Sequence, residues 1–210
     1  MMRMRDIDDF LPQMRSFAPS VPDPLAFVHL RNAARDFCVR THIWKENDAF
    51  TVTMPEGEGI AAVQDSEIVR IQHARLDGTV LEPVTTDWLD DNLPHWQDDD
   101  AETSAARYIV HLYENTVAIV PRQSGTLSCR LVLKPSQDAL TLPAVLYSEH
   151  GEHIARGAAG LLMLTPGTEF NNPNMAATLI GAFGQHAESV KLRVARSKVG
   201  GRVRTKGSYF

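Results

Sequence analysis

Among the residues whose types and spacing suit chemistry, His150 and His153 come first. They lie three apart beside Glu149 and Glu152, and on a helix that spacing puts both imidazoles on one face. A metal site would need a third ligand, and no His-Glu-x-x-His arrangement occurs. The pair therefore reads as ordinary surface or interface histidines. The run Asp98-Asp99-Asp100 lacks the alternating oxygen ligands, turn glycine and closing glutamate of a calcium loop, so a solvated acidic loop is expected. Ser148 lies near His150 in sequence only. A nucleophile needs a base and a group that orients it, and no Gly-x-Ser-x-Gly elbow exists. Cys38 and Cys129 are far apart and have neither disulfide-framework nor zinc spacing, which suits synthesis in a reducing compartment. Gly57-Glu58-Gly59 is not part of a phosphate loop, since no Gly-Lys-Ser/Thr follows. These absences point away from an enzyme: no catalytic residue, metal ligand or cofactor is expected.

The chemistry that does stand out is charge. The chain of 210 residues has a net charge of −5. Lys191, Arg193, Arg196, Lys198, Arg202, Arg204 and Lys206 put +7 into residues 191–210, which hold no acid, and leave −12 on the other 190. A basic end on an acidic body suggests a negatively charged partner for that end. After Val199-Gly200-Gly201 the tail has no core-forming pattern, and Arg202, Arg204, Lys206, Tyr209 and Phe210 are its contact candidates. Trp88 and Trp96 lie in an acidic stretch, 85–103, and are candidate interface anchors, because tryptophan is enriched where partners meet; Trp44 shares that reading. No apolar run approaches the length of a membrane span, and the N-terminus lacks the apolar middle of a signal peptide.

Three helices and a set of short strands must position these residues. Asp23-Pro24 starts a helix to Thr41, with Phe27, Leu30, Ala34, Phe37, Cys38 and Thr41 on one stripe. A second helix is expected from Ala144 to Leu164, ended by Pro166-Gly167. A third starts at Asn172-Pro173 and aligns Ala176, Ile180, Phe183, Ala187, Val190 and Val194. Phe27, Leu30, Phe37, Ile180, Phe183 and Val190 are the expected packing face of one helical domain. Gly151, Ala155, Gly157, Ala158, Ala159 and Gly160 make the second helix small-sided, so another helix approaches it closely, within the chain or from another copy. Strands are expected near 50–54, 67–76, 79–84, 107–113, 116–120 and 126–133, with Asp77-Gly78 as a two-residue hairpin turn. The fold class is therefore α+β. Residues 1–42 form a lead-in and first helix, 43–142 an inserted antiparallel β-sandwich or barrel, 143–199 a helical hairpin completing the helical domain, and 200–210 an extended basic arm.

Phe10-Leu11-Pro12, Val21-Pro22-Asp23-Pro24-Leu25-Ala26, Leu30 to Cys38 and Thr41-His42-Ile43-Trp44 mark the first part of the chain. Glu67-Ile68-Val69-Arg70-Ile71 with Asp77-Gly78 marks the middle, and Leu142-Pro143, Ile154 to Ala158, Pro166-Gly167, Asn172-Pro173 and Ala176 to Phe183 mark the end. In this order and spacing the chain resembles the head-to-tail adaptors of short-tailed bacteriophages; the 85–103 insert has no counterpart in that resemblance. The resemblance implies a non-enzymatic virion protein at the head–tail junction, made in the host cytoplasm. It implies a twelve-fold ring of identical copies that docks on the portal through the C-terminal helices and arm. It also implies a β part facing a tail nozzle or tail-fibre protein, and a bore that passes genomic DNA without sequence specificity. The competing reading is a nucleic-acid-binding regulator that uses the basic last helix and tail. Against it, the body is acidic and no helix-turn-helix or zinc pattern occurs.

Overall fold

A computed structural model describes residues 3–52, 58–60, 64–98 and 105–196. The described residues divide into two compact units, a sheet unit within Trp44–Ser136 and a helical unit of Arg3–Ile43 together with residues 137–196.

The helical unit begins with strand β1 (Met4–Asp6), a 3-10 turn (Ile7–Phe10) and the short helix α1 (Leu11–Arg15). Phe10 and Met14 are fully buried, so this lead-in is pinned by its apolar residues. Helix α2 (Asp23–Thr41) has Pro22 as its N-cap. Asp23 sits in the first turn, where a carboxylate meets the positive end of the helix dipole, and pairs with Arg15. The helix ends on His42, whose left-handed φ of 53° lets its amide close on the Cys38 carbonyl.

Helix α4 (Ala144–Met163) and helix α5 (Pro173–Arg196) form an α-hairpin. Asn172 caps α5 by accepting from the Met175 amide at 3.1 Å, with proline as the first helical residue. α2, α4 and α5 pack on one another, and α1 packs on α2 and α4. The glycines of α4 explain how close the helices come. A Cβ on Gly157 would lie 2.9 Å from the Phe183 ring, and one on Gly160 would lie 2.7 Å from Ile180. The small residues of α4 are thus met from within the chain, Gly157 and Gly160 by α5 and Gly151 by Gln13 of α1. β1 pairs antiparallel with β9 (Thr141–Pro143), and Arg31 donates to the Gln137 and Ala139 carbonyls at 2.7 and 2.9 Å. These contacts draw residues 137–142, expected in the β segment, into the helical unit.

The sheet unit contains one seven-stranded sheet in the order β2-β8-β4-β5-β6-β7-β3. The strands are β2 (Lys45–Val52), β3 (Glu58–Ile60), β4 (Ser66–Leu76), β5 (Thr79–Val84), β6 (Tyr108–His111), β7 (Thr116–Val120) and β8 (Gly125–Pro135). The α+β class holds. In detail the sheet is one curled mixed sheet, where an antiparallel sandwich or barrel was expected. β5 and β6 run parallel, because the chain between them carries helix α3 (Thr86–Asn92) and does not return through a tight turn. Two register shifts between β4 and β8, at Ile68/Arg70 and Ile71/His73, bend the strands, and the edge strands β2 and β3 touch each other. The Asp77-Gly78 hairpin forms, with φ of 47° and 87° at its two residues. Asp77 also ties the turn to β8: its carboxylate accepts from the Thr126 amide at 2.9 Å. Asn115 clamps the β6–β7 turn to β4 by donating to the Ser66 carbonyl and accepting from the Ile68 amide. α3 is an element that periodicity did not reveal. Thr85 caps it, accepting from the Trp88 amide at 3.1 Å, and Leu89 is its single buried anchor.

Candidate functional site

The helical unit brings together three histidines that the sequence separates. His150 and His153 project from α4 and His186 from α5. His150 Nδ1 and His186 Nε2 share a hydrogen bond at 3.0 Å, and the His153 and His186 rings stack at 3.5 Å, 8° from parallel. Phe37 of α2 covers them, 5.0 Å from His150 and 6.0 Å from both His186 and Phe183. His150 is only 3% exposed. Its Nε2 and the Nδ1 of His153 are buried and have no hydrogen-bond partner among the described residues; Glu149 Oε2 lies 3.9 Å from His150 Nε2.

A hydrogen bond between two imidazoles needs a protonated nitrogen on one ring and a bare one on the other. The electrostatics favour that neutral arrangement. Burial pushes His150 down to about 4, with His186 and Arg193 adding to the effect and Glu149 opposing it. Burial also lowers His153, helped by Arg156, and lowers His186, helped by His153 and Arg193. His150 and His153 were expected to be surface or interface histidines; His150 is instead a core residue with a polar partner. His186 was not singled out, because a partner 36 residues away on another helix leaves no local signal. Among the described residues no group of three or more His, Cys, Asp or Glu side chains is arranged to hold a metal ion.

The remaining candidates fall in three places. Of the packing face, Leu30, Phe37, Phe183 and Val190 are buried, while Phe27 and Ile180 are half-buried. Trp88 remains 37% exposed beside Tyr108, 5.0 Å between ring centroids. Trp96 is half-buried against Leu89, Val110, Ala118 and Val120 and donates from Nε1 to Asp90 at 2.8 Å. Trp44 is fully buried and presents no anchor. Asp87, Asp90, Asp91 and Asp98 are exposed around this segment, with Asp98 paired to His95. The arm candidates Arg202, Arg204, Lys206, Tyr209 and Phe210 lie outside the described residues.

Ser148 donates to the Ala144 carbonyl one turn back on its own helix at 3.1 Å. Cys38 and Cys129 are buried and form no disulfide among the described residues, and burial raises the Cys38 thiol far above its ordinary range, where it is a poor nucleophile. Among the described residues no helix is long and apolar enough to cross a membrane. The end of α5 exposes Lys191, Arg193 and Arg196, with Lys191 paired to Glu188. The chain matches no family model and no curated protein.

Proposed function

We propose that this protein is a ring adaptor between a phage portal and its tail, docking on the portal through its C-terminal helices and arm. The observation that carries the reading is the opposition of charge along the chain: +7 in residues 191–210 against −12 elsewhere, with the exposed basic side chains Lys191, Arg193 and Arg196 leading off the last turns of α5. Such an end suits an arm that reaches a partner. Many tethered copies bind far more tightly than one, because each later contact is intramolecular.

A ring needs side faces that complement each other between copies. Val28 and Val39 on α2 and Leu161 on α4 are exposed apolar residues available for such contacts. In this reading Trp88 belongs to the face that meets the next tail component, and the bore passes genomic DNA without reading its sequence. The virion is the site of action.

The test is a truncation. Removal of Arg202 to Phe210 leaves the helical and sheet units folded, as circular dichroism and thermal melting would report, and abolishes co-sedimentation with the portal protein encoded in the same genome. A truncated chain that still binds the portal overturns the proposal. Tight, sequence-specific DNA binding by the full chain at physiological salt would support the regulator reading instead.

A further inference from the structure

The three imidazoles between α4 and α5 play no part in the adaptor reading, yet they lie along the seam of the two helices, His150 buried and His153 and His186 half-buried. We infer that His150, His153 and His186 form an acid-operated latch: neutral, they hold α4 against α5 beneath Phe37; protonated, they drive the two helices apart. The inference stands whether or not the chain forms a ring.

The geometry carries it. The His150–His186 hydrogen bond requires one bare ring nitrogen, at 3.0 Å from its donor, and a proton on that nitrogen sets two N–H groups against each other. The His153–His186 stack, at 3.5 Å between centroids, tolerates two neutral rings and repels two cationic ones.

The surrounding groups offset that charge only in part: Glu149 favours a protonated His150 and Glu152 a protonated His153, each against burial and positive neighbours. On α4, Glu152 is paired with Arg156, and Glu149 lies 3.9 Å from His150 Nε2, where it offsets one added proton at most. On α5, Arg193 adds positive charge, and Glu188 is paired with Lys191 at 3.3 Å. From α2 the cluster meets the Phe37 ring, while Asp36 and Arg40 pair with each other at 2.9 Å. From α1, Gln13 packs against Gly151, its Oε1 buried and without a hydrogen-bond partner among the described residues.

The seam leaves little room to relax. Gly157 against Phe183 and Gly160 against Ile180 already set α4 and α5 in close contact, and a packed seam separates more readily than it stretches. Burial and neighbouring positive charge hold all three imidazoles below the ordinary histidine value of 6.5. The unfolded or opened chain therefore binds more protons as pH falls below that value, and the closed seam loses stability on the acid side.

The test uses the full chain. Amide hydrogen exchange, corrected for intrinsic rate, is compared at about pH 7.5 and about pH 5, the range across which histidine titrates. Protection of α4 and α5 amides is expected to fall at least roughly tenfold at the lower pH. In the His150→Gln/His186→Gln double variant, which removes the most strongly buried ring and its hydrogen-bond partner, the fall is expected to shrink to a small fraction of that, whereas His73→Gln, exposed on β4 of the sheet unit, retains it. Imidazole proton resonances of the wild-type chain provide a second reading that no substitution can spoil: the three cluster histidines titrate below the ordinary range. Ordinary titration of all three, or an equal loss of protection in wild type and double variant, overturns the latch.

Discussion

At the scale of single residues, burial decides what each chemically capable side chain does. His150 shows this most clearly. Its folded value of about 4 lies below the ordinary 6.5, so its contribution to stability is complete above about pH 6.5 and is lost as pH falls toward 4. That difference amounts to ~3 kcal/mol. Urea unfolding followed through that range should lose stability on this order, and His150→Gln should flatten the dependence. Phe37 is the second test at this scale. It is fully buried and touches His150, Phe183 and His186, so Phe37→Ala should cost ~3–5 kcal/mol in chemical denaturation, as large-to-small changes in a closed core do.

At the scale of elements, much of the fold was legible, for local reasons. Asn172-Pro173 announces α5 through a cap and a preset φ, and the Met175 amide finds the Asn172 side chain as expected. Asp77-Gly78 announces its hairpin through the left-handed backbone that both residues adopt. The elements that were not legible depend on distant partners. α3 has one buried residue, Leu89, and so too little apolar periodicity to register; its cap residue Thr85 was the available signal. The parallel pairing of β5 with β6 is fixed by where the intervening chain crosses, which no strand pattern encodes. The small residues of α4 signalled a close approach without naming the approaching surface, and Phe183 and Ile180 supply it. Two predictions follow from these contacts. Gly160→Val should destabilise the helical unit by ~1–3 kcal/mol through overpacking against Ile180 and the Ala176 carbonyl. Gly78→Val, at a φ of 87°, should destabilise the sheet unit by ~1–2 kcal/mol through backbone strain, read as a lower melting temperature, although its Cβ would meet open space.

At the scale of the whole molecule, the account rests on charge and on assembly. The acidic body and basic end are a property of the sequence, and the proposal gives them one use: many arms gripping one portal. An arm serving this purpose binds less tightly as salt rises, since counterions screen it. Portal co-sedimentation should therefore weaken between low and high ionic strength, while the melting temperature of the isolated chain changes little. The most direct test of the central claim is the mass of the purified full-length protein, measured alone and then mixed with the portal protein encoded in the same genome. The account predicts a monomer alone and a ring of copies seated on the portal in the mixture. A stable, compact dimer whose mass is indifferent to the portal would contradict it.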